Sequence, residues 1–235
     1  MLNNSNFLKI TQSLEPKFSN NRRCPDNYIG DIIIKNGKII NPESNDKCSD
    51  FKIRNKISSW QFKLSSKIIL IIESPHKNEF IGSLGPAKGP TGKNIRDHFN
   101  IVIEDLIKLK DGSYPLILMN AIQYQCSLGF DTKKYRDKIF RECWDKGGSD
   151  CFKLRLGCIY LVNDVVINAC TAGKADKLNK KLREMAKDAI NEILGDEIKC
   201  IEVEHPSNWK REINRVKKIN RTHNKSESPN FKWKT

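Results

Sequence analysis

The chain has 235 residues, which fits one domain, or one domain with an extension. Lysine and arginine outnumber aspartate and glutamate by 42 to 28, and the net charge of +14 favours a nucleic-acid partner over an ordinary basic soluble protein. No apolar run approaches the roughly 20 residues of a membrane span, and the amino terminus lacks a secretory-signal pattern. We therefore expect a cytoplasmic protein without membrane contact, and we expect it to be a monomer.

The first 60 residues are polar, rich in asparagine and irregular, and we interpret them as an extension packed on the main domain. Within this extension, residues 32–34 and 38–40 are short apolar runs separated by Asn36-Gly37. An Asn-Gly pair between two such runs predicts a small β-hairpin.

Residues 61–222 read as the main domain, and residues 223–235 as a flexible polar tail. Four apolar runs have the length and composition of buried strands: residues 67–73, 115–122, 164–170 and 198–204. Helical spacing of apolar residues follows the Gly/Pro loop of 82–92 and recurs over 132–145, 149–163, 175–194 and 208–221. Strands alternating with helices predict an α/β fold, a three-layer α/β/α sandwich around a central four-stranded parallel sheet.

Polar side chains follow each predicted strand, where parallel sheets gather their ligands. The segments at these carboxyl ends are Glu73-Ser74-Pro75-His76, Asn120, Thr171-Ala172-Gly173 and His205-Pro206-Ser207. We expect these four segments to converge on one site.

The same motifs resemble those of the uracil-DNA glycosylase superfamily. Members have a first strand that ends in a short motif with proline, then a Gly/Pro loop, an Asn on the second strand and a final His-Pro-Ser. This chain has IIESPHKNEF (71–80), GPAKGPTGKNI (85–95), LILMNAI (116–122) and EHPSNW (204–209), in that order. The resemblance covers about residues 67–215 and is closest to the thermophile-type branch that carries an iron–sulfur cluster.

The resemblance implies a monofunctional glycosylase that flips one base out of DNA and leaves an abasic site. His205 is the candidate that stabilises the negative charge developing on the leaving base. Glu73 is the first candidate for the carboxylate that acts on water or the sugar cation, and Glu79 is the second. The alternatives are a capping or core histidine, and surface or helix-capping acids.

Asn120 is the candidate that reads the edge of the flipped base, the alternative being an Asn bonded to backbone. Ser74, His76 and Ala87 are the further base-binding candidates. The DNA-binding candidates are Lys88, Thr91, Lys93, Ser207, Trp209, Lys210 and Arg211. Trp209 takes the position of the family's apolar wedge, or else packs the final helix.

The chain departs from the uracil-specific members, whose first motif reads Asp-Pro-Tyr-His. Here it reads Ser74-Pro75-His76-Lys77, without the water-activating Asp and the Tyr that blocks thymine, and Ala87 lies in a region that lacks the stacking Phe. A pocket without these walls favours a larger modified pyrimidine, such as the glucosylated hydroxymethylcytosine of phage DNA that an antiviral branch removes. Uracil remains the alternative substrate.

No cofactor is required for this chemistry, although the branch suggests an iron–sulfur cluster. Its ligands would be Cys24, Cys48, Cys126 and Cys143, and the alternative is buried structural thiols. Two other functions stay open: a non-catalytic DNA-binding module, which does not need His205 or Glu73, and a hydrolase of free nucleosides. The glycosylase hypothesis requires His205 and Glu73 to meet across one cleft wide enough for an everted nucleotide.

Overall fold

The structure is a computed structural model of a mixed α/β protein. It describes residues 1–12, 22–40, 66–81, 84–85, 88–175, 180–195 and 200–222, with side chains described as far as residue 215. The predicted tail at 223–235 lies outside these ranges.

The hairpin and the elements of the main domain follow the predicted order along the chain, whereas the first helix lies in a segment that was expected to be irregular. The strands are β1 (Asn27–Lys35), β2 (Lys38–Ile40), β3 (Ile68–Ile72), β4 (Gly112–Asn120), β5 (Val165–Asn168) and β6 (Ile201–Glu202). The helices are α1 (Asn4–Thr11), α2 (Pro90–Ile103), α3 (Lys138–Cys143), α4 (Ser149–Ile159), α5 (Leu182–Leu194) and α6 (Pro206–Thr222), with a 3₁₀ turn at Lys77–Phe80 and π-helical turns at Lys133–Asp137 and Trp144–Gly148. In the described ranges, no helix combines the length and the apolar composition that a membrane crossing requires.

The strands form one sheet in the order β2-β1-β4-β3-β5-β6. The neighbours β4, β3, β5 and β6 are parallel, whereas β1 runs antiparallel to both β2 and β4. The sheet therefore has six strands where the sequence predicts four. The two additional strands are the predicted hairpin. β1 pairs with β4, and its buried apolar residues pack in the same hydrophobic cluster as those of β4.

The hairpin turn has the conformation that its sequence predicts. Asn36 and Gly37 have φ angles of 54° and 70°, the left-handed pair that a tight two-residue turn requires. The carboxylate of Asp111 accepts hydrogen bonds from both backbone N–H groups, at 2.8 and 3.2 Å. These bonds lower the pKa of Asp111 and fix the turn beside the start of β4.

Alternate residues of β3 belong to two separate hydrophobic clusters. Ile69 and Ile71 pack with side chains of α1, α3, α4 and α5, whereas Ile68, Leu70 and Ile72 pack with side chains of α2 and α6. All five residues of the strand are buried. Covering on both faces explains why β3 reads as an uninterrupted apolar run rather than an alternating one.

A buried ion pair closes the amino ends of β3 and β5. The Nζ of Lys67 lies 2.6 Å from Oδ2 of Asp164, and neither side chain is exposed. The same carboxylate accepts backbone hydrogen bonds from Lys67 and Leu161, at 3.0 and 2.7 Å. These bonds satisfy the buried carboxylate. Removal of either charged side chain is therefore expected to destabilise the protein strongly.

Replacing Lys67 with Met should lower the free energy of unfolding by about 3–5 kcal/mol, because it leaves Asp164 as a buried charge without its counter-ion. Urea denaturation measures the change. Lys38→Met, at an exposed position of β2, is the control and should stay within about 0.5 kcal/mol of the wild type. Equal stability of Lys67→Met and the wild type would contradict this account.

Candidate active site

The carboxyl ends of the parallel strands lie side by side, as the fold class requires. The N–H of Ala121 donates to the carbonyl of Ile72, and the N–H of Ala169 donates to the carbonyl of Ile71, both at 2.8 Å. These bonds continue the ladder beyond the ends of β4 and β5. Glu73, which follows β3, therefore lies between the segments that follow its two neighbours.

Glu73 connects two of the predicted strand-end segments. Its side chain is buried, and Oε2 accepts a hydrogen bond from the backbone N–H of Thr171 at 3.2 Å. The same oxygen lies 3.3 Å from Nε2 of His205. The carboxylate that follows β3 thus meets the loop after β5 and the imidazole after β6.

The hydrogen bonds of His205 determine which ring nitrogen carries the proton. Its Nδ1 accepts the backbone N–H of Ser207 at 3.2 Å and lies 2.8 Å from the Ser207 hydroxyl oxygen. A nitrogen that accepts an N–H carries no proton of its own, so the neutral ring has its proton on Nε2. Nε2–H then donates to Glu73.

His205 immediately precedes α6 and caps its first turn, so the capping alternative describes part of its role. Its backbone carbonyl accepts the N–H of Asn208 at 2.8 Å, while Nδ1 satisfies the N–H of Ser207. The Nδ1 edge of the imidazole therefore caps the helix, and the Nε2 atom on the other side of the ring faces Glu73.

The contact between Glu73 and His205 corrects one expectation. The two groups meet, but they touch directly, with side chains only 8% and 13% exposed. The predicted cleft that separates them is therefore absent in this conformation. A base can reach the imidazole proton only after the pair separates.

Asn120, the last residue of β4, has no exposed surface. Neither Nδ2 nor Oδ1 of its amide has a hydrogen-bond partner among the described residues. A buried amide without partners typically destabilises a protein by about 1–3 kcal/mol. Within the described ranges, Asn120 therefore lacks the bond to backbone that was the alternative.

Arg155 fixes the backbone at this position. Its guanidinium donates to the carbonyls of Asn120 and Ala121 at 2.8 and 3.0 Å, and it contacts both carboxylate oxygens of Asp26 at 2.6 and 2.7 Å. The Asn120 amide therefore projects from a rigid segment, although it is unpaired itself.

Ser74 and His76 flank the same edge of the sheet. Ser74 is buried beside the thiol of Cys126. His76 caps the 3₁₀ turn by accepting the N–H of Asn78 at 3.3 Å, and its backbone bridges to Ser127. Partial burial, followed by the charge of Lys77, lowers the pKa of His76, so the ring is neutral at neutral pH.

Glu79, the second acid candidate, is buried in the 3₁₀ turn. Its Oε2 accepts a weak hydrogen bond from the Cys24 thiol at 3.8 Å. Burial, followed by the charge of Glu79, raises the pKa of Cys24 well above its usual range. The described contact of Glu79 is thus with a protonated thiol rather than with His205.

The cysteines proposed for an iron–sulfur cluster do not form a ligand set in the described residues. Cys126 and Cys143 are adjacent and buried, and burial followed by their mutual contact raises the pKa of Cys126. Cys24 is engaged by Glu79, and Cys48 lies outside the described residues. Across the described ranges, no three His, Cys, Asp or Glu side chains come together as metal ligands.

A groove of about 710 Å³ opens between the amino-terminal ends of α2 and α6. Its lining residues are Gly89, Pro90, Lys93, Asn94, Ser207, Lys210, Arg211 and Asn214. Four of them are predicted DNA-contacting residues. The amide of Asn94 donates to the carbonyl of Pro206 at 2.8 Å and holds the two helix ends together.

The groove is basic and accessible. The side chains of Lys93 and Arg211 are 63% and 74% exposed, and each pairs with one acid, Asp97 or Glu212. Exposed ion pairs of this kind are weak enough to exchange for another anion.

Two of the remaining predicted DNA contacts, Lys88 and Thr91, do not line the groove. Lys88 donates to the carbonyl of Ile81 at 2.7 Å and so turns towards its own loop. Thr91 is partly buried in the first turn of α2. The predicted base-binding residue Ala87 lies outside the described residues.

Trp209 is not an exposed wedge, so that prediction is wrong. Its side chain has no exposed surface, packs 6.3 Å from the ring of Phe99 and donates from Nε1 to the carbonyl of Glu204 at 2.6 Å. The alternative, a Trp that packs the final helix, describes it. Ile213, four residues later, shares the same buried face, and this spacing was the available signal.

Phe130 is an exposed aromatic side chain that the sequence analysis missed. It is 52% exposed, and its ring meets Tyr135 edge-on with centroids 5.5 Å apart. The loop is packed closely against the site, because a Cβ at Gly129 would lie 2.9 Å from Nε2 of His76. The sequence does not single out one aromatic residue in a polar loop, because the position of the loop relative to the site is not known from the sequence.

Comparison of the chain with models of protein families, with curated proteins and with solved structures finds no match. The resemblance to the uracil-DNA glycosylase superfamily therefore remains a prediction from four motifs.

Proposed function

We propose that this protein is a DNA glycosylase that everts a modified pyrimidine, hydrolyses its bond to the sugar and leaves an abasic site. The observation that carries the proposal is the Asn120 amide, which is fully buried and lacks any partner in the described part of the chain. It lies one residue from Ala121, whose N–H is bonded to the strand that leads into Glu73.

An asparagine amide offers one acceptor and two donors, which match adjacent groups on the Watson–Crick edge of a pyrimidine. Inside a duplex this edge is engaged by the opposite base, so the amide can read it only on an everted nucleotide. Such a base would give Asn120 the hydrogen bonds that it lacks within the folded chain.

Glu73 and His205 supply the two groups that the reaction needs, a carboxylate and a hydrogen-bond donor. A water oxygen bonds to the anomeric carbon, and the water proton passes to Glu73. The bond from that carbon to the base nitrogen breaks, and its electron pair leaves with the base. His205 donates its Nε2 proton in a hydrogen bond to the base carbonyl, where the negative charge gathers.

This chemistry requires His205 to exchange Glu73 for the base. The exchange breaks one contact of 3.3 Å and frees both groups at once, the imidazole for the base and the carboxylate for water. The Glu73–His205 pair therefore closes the site when DNA is absent and must separate when DNA binds.

The basic groove suits the phosphate backbone. Lys93, Lys210 and Arg211 line it, and it lies at the amino-terminal ends of α2 and α6, the positive ends of the two helix dipoles. We place it in a three-layer α/β/α arrangement, with the groove on the face covered by α2 and α6. The net charge of +14 predicts that DNA binding weakens steeply with salt.

The preferred substrate is a pyrimidine larger than uracil. The position of the family's blocking Tyr holds His76, a smaller ring that is packed back against Gly129. Less bulk at this wall leaves room for a substituent on the base, such as a glucosylated hydroxymethyl group.

A non-catalytic DNA-binding module is the second candidate. The direct contact of Glu73 with His205 favours it, because a histidine that caps a helix and pairs with a buried acid has a structural role without any reaction. The two candidates differ in whether a base is released.

Wild-type protein should release a free base from a duplex with glucosylated or plain hydroxymethylcytosine, detected by mass spectrometry. His205→Ala and Glu73→Gln should each lower single-turnover release about 10²–10³-fold, because each removes a charge-stabilising group. Duplex affinity should change less than about threefold, because neither side chain lines the groove.

Glu142→Gln, an acid-to-amide change on the surface of α3, is the matched control and should leave release unchanged. Release from a uracil duplex alone would refute the larger substrate. Tight duplex binding without release of any base would support the non-catalytic module instead.

Phe130, rather than Trp209, is the candidate for the wedge that fills the gap left by the everted base. It is exposed, it lies on the loop beside His76, and the exposed Lys133 and Lys134 follow it on the chain. Wedge side chains offset the loss of stacking when a base leaves the duplex.

Phe130→Ala should lower base release from duplex DNA about ten- to a hundredfold, the range of one lost stacking interaction, and release from single strands less than about threefold. Phe130→Trp should preserve the duplex rate. Val162→Ala removes an exposed apolar side chain just before β5, at the amino ends of the parallel strands, and serves as the control. Equal losses on duplex and single strands would exclude the wedge role.

A further inference from the structure

Asn27 is a second buried amide without partners. It is the first residue of β1 and is 2% exposed. Neither Oδ1 nor Nδ2 is hydrogen-bonded to any residue that the structure describes. Its residue type and position gave no signal in the sequence, because the hairpin was expected to lie outside the main domain.

Asn27 and Asn120 face the same side of the sheet. Asn27 lies directly opposite Leu118 in the antiparallel ladder between β1 and β4, so the two side chains share a face. Asn120 follows Leu118 by two residues and therefore also shares it. Diagonal neighbours of this kind lie roughly 7–8 Å apart, within reach of one ligand the size of a base.

The backbone segments that carry the two amides are held together by one side chain. Arg155 binds the carboxylate of Asp26, which precedes Asn27, and at the same time the backbone carbonyl of Asn120. The backbone N–H of Cys24 donates to Gln123 at 2.8 Å and ties the same two segments again. The first strand of the predicted extension is thus fixed against the candidate base-binding position.

The hydrogen-bonding groups of an unmodified pyrimidine are too few for this site. The Watson–Crick edge carries three groups, at ring positions 2, 3 and 4. In the proposed function His205 takes the oxygen at position 2, and the Asn120 amide takes the groups at positions 3 and 4. A second amide needs a further polar group on the base.

We infer that Asn27 and Asn120 form a two-amide recognition site, in which Asn27 hydrogen-bonds a hydroxyl-bearing substituent at position 5 of the pyrimidine. The inference rests on the proposed function and specifies its substrate class. It gives the amino-terminal segment a direct role in substrate selection.

The test compares single-turnover base release from duplexes with 5-hydroxymethylcytosine and with 5-methylcytosine, which differ by one hydroxyl group. Wild-type protein should prefer the hydroxylated base. Asn27→Leu should lower its release about tenfold or more, the effect of one lost hydrogen bond, and leave the methylated base within about threefold. Asn120→Leu should lower both.

Asn27→Ala repeats the test with a smaller side chain, and circular dichroism verifies that each variant is folded. No preference in the wild type, or equal effects of Asn27→Leu on both bases, would overturn the inference. The second outcome is also the one expected if Asn27 binds only an enclosed water molecule.

A binding measurement separates this inference from the proposed function. If the wild type releases no base at all, the proposed function fails, and thermal stabilisation by 5-hydroxymethyl-2′-deoxycytidine still tests the site. The nucleoside should raise the melting temperature of the wild type more than 2′-deoxycytidine does, and this difference should vanish in Asn27→Leu. Equal shifts in both proteins would overturn the inference.

Discussion

The site depends on an unpaired polar group held in the interior of the sheet. Asn120 ends the buried strand β4, its backbone is fixed by Arg155, and its amide has no partner among the described residues. Folding alone does not favour such an arrangement, because an apolar side chain of the same shape would avoid the loss of hydrogen bonds to water. In the proposed function, the edge of an everted base supplies the hydrogen bonds that this amide lacks.

The Glu73–His205 contact and the groove can be understood from the same constraint. Glu73 and His205 are in direct contact at the strand ends, and in the proposed function they are the two groups that act on an everted base. The groove between α2 and α6 lies next to His205, since Ser207 both lines the groove and bonds the imidazole. In the proposed function, Ser207 thereby couples DNA binding in the groove to the position of the imidazole.

The sequence was sufficient for features that depend on local patterns and on the rules of parallel sheets. Uninterrupted apolar runs located β3 and β4, and the carboxyl-end rule brought Glu73 and His205 together from distant parts of the chain. Pairing of β1 with β4 and the adjacency of Asn27 to Asn120 were out of reach, because they depend on contacts between segments about 90 residues apart. The wedge assignment of Trp209 was wrong because motif position does not show which face of a helix is buried.

The most direct test of the account is the free energy of unfolding of Asn120→Leu in urea, compared with Asn168→Leu. Asn168 is equally buried, but its amide bonds the carbonyl of Arg183 and the N–H of Cys170. The account predicts that Asn120→Leu is about 1–2 kcal/mol more stable than the wild type and that Asn168→Leu is less stable. If Asn120→Leu loses as much stability as Asn168→Leu, the Asn120 amide is already paired within the folded chain, and the central claim is contradicted.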